Sequence, residues 1–413
     1  MGRSLVPATM LAGLLALAIA AATLTLTGLH PAWWPAAVAL AILGGLTPMI
    51  FAVTIRVVPV FSRRQWRSEA ALRLQVGLMI VGAWTLYAGR LRLDDALVLA
   101  GSLLALAGGI AATANTLLLF QQPAVATMPA PPADPSQLAA DRVARPFTRL
   151  ASGYLLFGLG VGVVAALWRP PFGRWELVWA HALLIGYVLS MASGISYHVL
   201  GRWTGRPWPW AAPLRVHLWL VQYGLPVMIA ALAIGSTPLF AVAGVLEAAA
   251  ILLFLVNTAP MLPGLPAPTR PAFMAASALF AVGIALGGAF ALDPALGARL
   301  RPVHAELNLF GWAGLLVSGA AYFLAPRFAG KPLRWPRLAY AQIGLLGGGV
   351  ILGAAADVWR LLAAGPAWPA TIGHALMAAG FLALAAVIGG TFFGQPAGQT
   401  IGVAPSLRPA RPT

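Results

Sequence analysis

Cysteine is absent from all 413 residues. That excludes structural disulfides, thiolate zinc sites, iron–sulfur clusters and covalently attached c-type haem. Any metal must then be held by His, Met, Asp or Glu. Charge is almost as scarce: 9% of the residues are charged, against about 25% in an ordinary soluble domain. No long polar stretch interrupts the chain, so it has no room for a large soluble insert. With 10 acids and 6 histidines, each ionisable side chain can be weighed singly. What fills the space is apolar: 60% of residues are hydrophobic and the mean hydropathy is +0.85. These values describe an all-α integral membrane protein whose first partner is the lipid bilayer. The net charge of +16 reads as helix orientation by Arg and Lys, with no nucleic-acid partner.

Apolar stretches of spanning length fall near 6–28, 33–61, 69–89, 95–120, 147–168, 177–201, 212–234, 237–262, 269–292, 300–326, 335–359 and 367–393, twelve in all. The first is longer than a signal-peptide core of about 7–15 residues, so it is read as an uncleaved span. The termini and the loops after even-numbered spans carry 19 of the 26 basic residues. Among them are Arg63, Arg64, Arg67, Arg202, Arg206, Arg327 and Lys331. Both termini are therefore expected to be cytoplasmic, in a multi-pass protein of a bacterial-type inner or plasma membrane.

The sequence also repeats itself. "SGISYHVLGRWTGRPWPW" (193–210) and "SGAAYFLAPRFAGKPLRW" (318–335) align at a constant offset of 125 residues. Ser193, Gly194, Tyr197, Arg202, Gly205, Pro207 and Trp210 fall on Ser318, Gly319, Tyr322, Arg327, Gly330, Pro332 and Trp335. That offset is about four spans, so span 6 corresponds to span 10. Span 2 joins the series weakly through "IRVVPVFSRRQW". The expected organisation is three pseudo-repeated four-helix units: 1–120 (the most diverged), 147–264 and 265–396. A Pro/Ala-rich cytoplasmic linker, 121–146, separates the first two, and a tail, 397–413, follows the third. The linker composition predicts a flexible segment without chemistry.

Spans 6, 10 and 12 run in the same direction, and each carries a histidine in its first turns: His181, His304 and His374. A single histidine at a helix end is usually interfacial or bonded to a neighbour. Three at one depth, joined by Glu306, point to a site, because ionisable groups in a membrane tend to face the bundle interior. Imidazole is also the commonest side-chain ligand for haem iron and copper. His304 and Glu306, two residues apart, point about 200° apart on a helix and so address different neighbours. Glu247 lies mid-span, where a charge costs about +2.5 kcal/mol or more. It reads equally as a proton-path carboxylate or as a protonated group bonded to another helix. Arg56, near the end of span 2, could pair with a haem propionate, although snorkelling is the commoner role there.

The stretch "HAELNLFGWAGLLVSGAAYFLAPRFAGKPL" resembles helix ten of haem-copper oxidase subunit I, with its His-x-His, glycine-rich run, aromatic, proline and turn. Twelve spans in three four-helix arcs is that family's architecture. The resemblance makes His304 the counterpart of the high-spin haem ligand. Glu306 replaces the second histidine, and span 2 has none, so both low-spin haem ligands are missing. Span 7 offers only His217 toward the copper set. "HALLIGYVLSMASGISYHVLGRWTGRP" is similar to the NnrS family of haem- and copper-associated, nitric oxide-related membrane proteins, through His181, Ala182, Gly186, Met191, Arg202, Thr204, Gly205, Arg206 and Pro207. "RVVPVFSRR" resembles that family's Arg-x-x-Pro-x-Phe-Thr segment. The order of these elements departs from the family order, which implies a divergent relative.

The resemblance implies a haem b protein, with copper as a further cofactor, handling a diatomic gas such as nitric oxide. His304 would be the proximal ligand, His181 and His374 distal or copper-side ligands, and Glu306 and Glu247 proton-handling groups. Any turnover would draw electrons from a cytochrome or a quinol. A different class competes: a cofactor-free transporter or permease that uses the same His and Glu residues for substrate or protons. Against it, the repeats are parallel and the histidines lie near one face, where many transporters carry inverted repeats and broken helices at the midplane. A structural subunit with decayed haem sites is the third reading.

Overall fold

The computed structural model describes residues 4–27, 30–126, 134–168 and 174–394. The tail at 397–413 and part of the linker lie outside them. Among the described residues, twelve helices are long and apolar enough to cross a membrane. They are α1 Leu5–Leu24, α2 Pro31–Ser62, α3 Glu69–Arg92, α4 Asp95–Phe120, α5 Pro135–Trp168 and α6 Trp175–Thr204. The second half comprises α7 Ala212–Ile234, α8 Thr237–Gly264, α9 Thr269–Leu292, α10 Pro294–Ala329, α11 Pro336–Ala363 and α12 Trp368–Phe393. No strand occurs among the described residues. Even-numbered helices begin on one face of the bundle, called here the upper face.

The scarce polar residues mark where helices begin. Ser68, Asp94, Ser236 and Asp293 each accept a backbone N–H from the first turn of α3, α4, α8 and α10. Such caps satisfy donors that a helix start leaves open. At the lower ends of α6 and α10, Gly205 and Gly330 adopt φ of +67° and +63°. Only glycine enters that left-handed turn without strain, so the repeat-matched glycines close their helices in the same way.

Burial is uneven. α1, α2, α6 and α10 hold the interior, while the remaining helices turn side chains such as Leu74, Ile110, Val245 and Leu382 outward. α12 packs on α1, α4 on α5 and α8 on α9, which closes the ring. The inner helices α2, α6 and α10 share an irregularity. Each contains a π-helical stretch, at Leu40–Leu46, Ala182–Leu189 and Leu307–Ala313, and these stretches meet at the centre of the bundle. Wide turns of this kind are uncommon and concentrate at functional sites.

The second half of the segment read as a linker is helical, because α5 starts at Pro135. Proline suits a first helical position. The Asp134 carboxylate caps the start, accepting from the Gln137 amide at 2.8 Å and the Ser136 hydroxyl at 2.7 Å. Asp141 then docks this extension on the end of α6, where it accepts two bonds from Arg202, at 2.9 and 2.7 Å, and faces His198 at 2.9 Å.

Candidate metal chamber between α6 and α10

The upper half of the bundle holds a partly open cavity of about 200 Å3 between α6, α7, α8, α9 and α10. Its walls are mostly apolar, with Ile185, Met228, Phe240, Ile251 and Ile284 among them. Five ionisable residues line it: His181, His304, Glu247, Arg174 and Arg301.

Both histidine rings are fixed in the same way. The His181 Nδ1–H donates to the Leu177 carbonyl at 2.8 Å, one turn back on its own helix. The His304 Nδ1–H donates across to the Gly283 carbonyl of α9 at 2.9 Å. A carbonyl can only accept, so each Nδ1 carries the proton and each Nε2 is left with its lone pair. This is the arrangement that orients histidines as metal ligands. Asn308 braces the turn below by donating to the His304 carbonyl at 2.7 Å. The approach of α10 to α9 depends on two glycines one turn apart. A Cβ on Gly283 would meet Asn308 at 2.6 Å, and one on Gly287 would meet His304 Cε1 at 2.8 Å.

Glu247, on α8, has neither carboxylate oxygen hydrogen-bonded, although it is 3% exposed. A buried carboxyl in that state needs a proton, a cation or water beside it. Arg174, at the start of α6, and Arg301, one turn before His304, place positive charge on the lining.

The third histidine lies elsewhere. His304 and Glu306 diverge as a two-residue separation requires, and Glu306 turns away from the chamber toward α11 and α12. There its Oε2 faces His374 Nε2 at 3.4 Å. Asp357 of α11 completes this second group, with the donor atoms of all three within 4.8 Å of one another. The structure thus brings His181, His304 and Glu247 to one chamber, and Glu306 and His374 to another place. The reason is rotation: α12 presents His374 to α10's far side, a choice that hydropathy leaves open.

Arg56 joins neither group. Its guanidinium sits 5.9 Å from the Phe328 ring, near the lower end of α10. It is therefore remote from any cofactor held at the upper histidines. His30 stacks on Trp33 at the start of α2. His217 is wholly buried, with Nδ1 accepting from the Tyr197 hydroxyl at 2.7 Å. Four residues of these sites escaped the sequence reading: Arg174, Arg301, Asn308 and Asp357. Asn308 carried a signal, since it stands one turn beyond His304. Asp357 carried one too, as an acid inside an apolar span with Arg360 three residues on.

No family model matches the chain, and no curated protein does. Among solved structures, it is similar to a haem-copper terminal oxidase determined as a dimer by cryo-electron microscopy. The TM-score is 0.59 at 12% identity, over 95% of this chain and 85% of that one. The likeness establishes the fold: twelve helices in the arrangement of a haem-copper oxidase subunit I.

Proposed function

We propose that this membrane protein holds a histidine-ligated metal centre, of haem iron or copper, in the chamber between α6 and α10, and that its ligand is a diatomic gas, nitric oxide first. The observation that carries the reading is the matched pair of rings. His181 and His304 line one cavity from two helices, each with its Nδ1–H on a backbone carbonyl and its Nε2 uncommitted. The oxidase-like fold supports it, and so does the likeness of the α6 segment to nitric oxide-related membrane proteins.

The donor chemistry fits both metals, since imidazole nitrogen serves copper and iron alike. A cavity of about 150 Å3 admits benzene, so about 200 Å3 admits a copper ion with a diatomic ligand.

A bound copper would supply a redox-active site for the gas. The protein's own groups would do the rest. His181 and His304 hold their rings in one tautomer. The mostly apolar walls suit a small uncharged ligand. Glu247 stands where it can hold a proton within the lining, and Arg174 and Arg301 favour negative charge beside it. Turnover would further require an electron donor, a cytochrome or a quinol.

The test is one preparation read several ways. The detergent-purified protein is assayed for copper and iron by mass spectrometry, for haem as the pyridine haemochrome, and by absorption before and after dithionite and nitric oxide. Near-stoichiometric copper or haem that responds to nitric oxide and is lost in both His181→Ala and His304→Ala is the expected result. Retention of the metal in both variants overturns the site. A colourless protein without copper or iron overturns the function, and the transporter reading then leads.

A further inference from the structure

We infer that Glu306, Asp357 and His374 form a second metal site, separate from the chamber, that takes a divalent cation of the zinc class. The three side chains come from α10, α11 and α12, and all are buried. Their donor atoms lie within 4.8 Å of one another. One imidazole and two carboxylates are ordinary zinc donors, and three protein ligands leave a fourth position for water.

Two observations favour a cation over a simple hydrogen-bonded pair. The first is distance. His374 Nε2 and Glu306 Oε2 are 3.4 Å apart, long for a charge-assisted hydrogen bond of about 2.7–2.9 Å. It is close to the donor–donor edge of a tetrahedron built on bonds of about 2.0–2.1 Å. The second is an unused atom. Glu306 Oε1 has no hydrogen-bond partner although the residue is 4% exposed. A buried carboxylate oxygen in that state is costly unless something positive faces it. His374 Nδ1 has no hydrogen-bond partner, and Nε2 is the ring nitrogen that faces Glu306, so Nε2 is the ligating nitrogen.

The surroundings are built for close approach. A Cβ on Gly353, one turn before Asp357, would collide with Glu306 Oε1, and one on Gly373 would collide with the Gly353 backbone. Charge also favours a cation. Two carboxylates and a neutral imidazole carry −2, and Arg360, on Asp357 Oδ1 at 3.0 Å, offsets one unit. Net negative charge is left for a cation to face. At the 125-residue offset His181 falls on Glu306, so the position that offers an imidazole to the chamber offers a carboxylate here.

The experiment does not depend on the chamber. Full-length protein is purified in detergent without chelator, its metals are counted by mass spectrometry, and thermal unfolding is followed after EDTA treatment and titration with Zn2+. Besides any copper or iron in the chamber, we expect about one zinc-class ion per chain in the wild type and also in the His181→Ala/His304→Ala double variant. Glu306→Gln and His374→Gln should hold about tenfold less or lower, since binding needs the whole ligand set. Added Zn2+ should raise the unfolding midpoint of the stripped wild type and leave that of Glu306→Gln unchanged. Should these variants fail to fold, the wild-type EDTA and Zn2+ series decides alone. A wild type that neither carries a divalent ion nor responds to Zn2+ overturns the site. Wild-type metal content in both single variants does the same.

Discussion

Gly287 and Gly288 are neighbours on α9, and replacing each by alanine separates the geometry of the chamber from ordinary helix propensity. Alanine at 288 meets nothing within 4 Å, so it should gain up to about 1 kcal/mol from helix propensity alone. Alanine at 287 has the same propensity gain, but its Cβ would stand 2.8 Å from His304 Cε1 and 3.3 Å from Nδ1. Carbon atoms pack at about 3.5–4.0 Å, so the ring must retreat by about 0.7 Å. A retreat of that size along the bond takes the 2.9 Å contact with Gly283 to about 3.6 Å, beyond hydrogen bonding. Overpacking costs about 1–3 kcal/mol and the lost bond about 1 kcal/mol. The two variants should therefore differ by about 2–4 kcal/mol in stability. With His304 unclamped, metal retention should also fall about 10–100-fold in Gly287→Ala. Thermal unfolding of the detergent-solubilised variants, with metal analysis of each, reads both effects. Equal stability and equal metal in the two variants would refute the close approach of His304 to α9.

Three further expectations follow from contacts away from the chamber. Tyr197→Phe strands His217 Nδ1 and takes one of two acceptors from the Asn257 side-chain amide, which keeps the Pro213 carbonyl at 3.3 Å; the loss should be about 1–3 kcal/mol for the stranded imidazole, read by thermal unfolding. Arg202→Lys keeps the charge but surrenders the paired bonds to Asp141, so hydrogen exchange should quicken across 135–146, whereas unchanged protection there would dismiss the docking role. The Ser136 hydroxyl and the Gln137 amide hold the Asp134 carboxyl below its ordinary range. Its cap is therefore complete above about pH 4 and is lost as pH falls through the lowered value; protection at 136–138, taken relative to the intrinsic exchange rate at each pH, should fall on acidification in the wild type and stay low at all pH in Asp134→Ala.

The twelve spans were legible because hydropathy depends only on which residues follow one another. Within a span, the divergence of His304 and Glu306 was legible too, since two residues on one helix have a fixed angular separation. Partners on different helices were not. Depth placed His374 beside His181 and His304, but the rotation of α12 carries its ring to Glu306 instead. Asp357 was missed because an acid near the end of an apolar span looks like an interfacial residue until α11 is seen against α10. The helical start of α5 was masked by composition: proline and alanine at 135–146 suit a linker as well as a capped helix, and the capping contacts of Asp134 separate the two.

The π-helical stretches of α2, α6 and α10 have a consequence for how such a bundle can change. An α-helix advances about 100° per residue, so one residue added or removed normally re-aims every side chain beyond it. A widened turn absorbs such a residue locally. In α6 and α10 it lies immediately after His181 and Glu306, so the upper and lower halves of each helix keep separate phases, like two screw threads cut independently on one shaft. The upper thread aims ligands and the lower one aims Ser193 and Tyr197 or Ser318 and Tyr322 into the packing. Ligands can thus be exchanged above, imidazole for carboxylate, while the lower threads stay engaged.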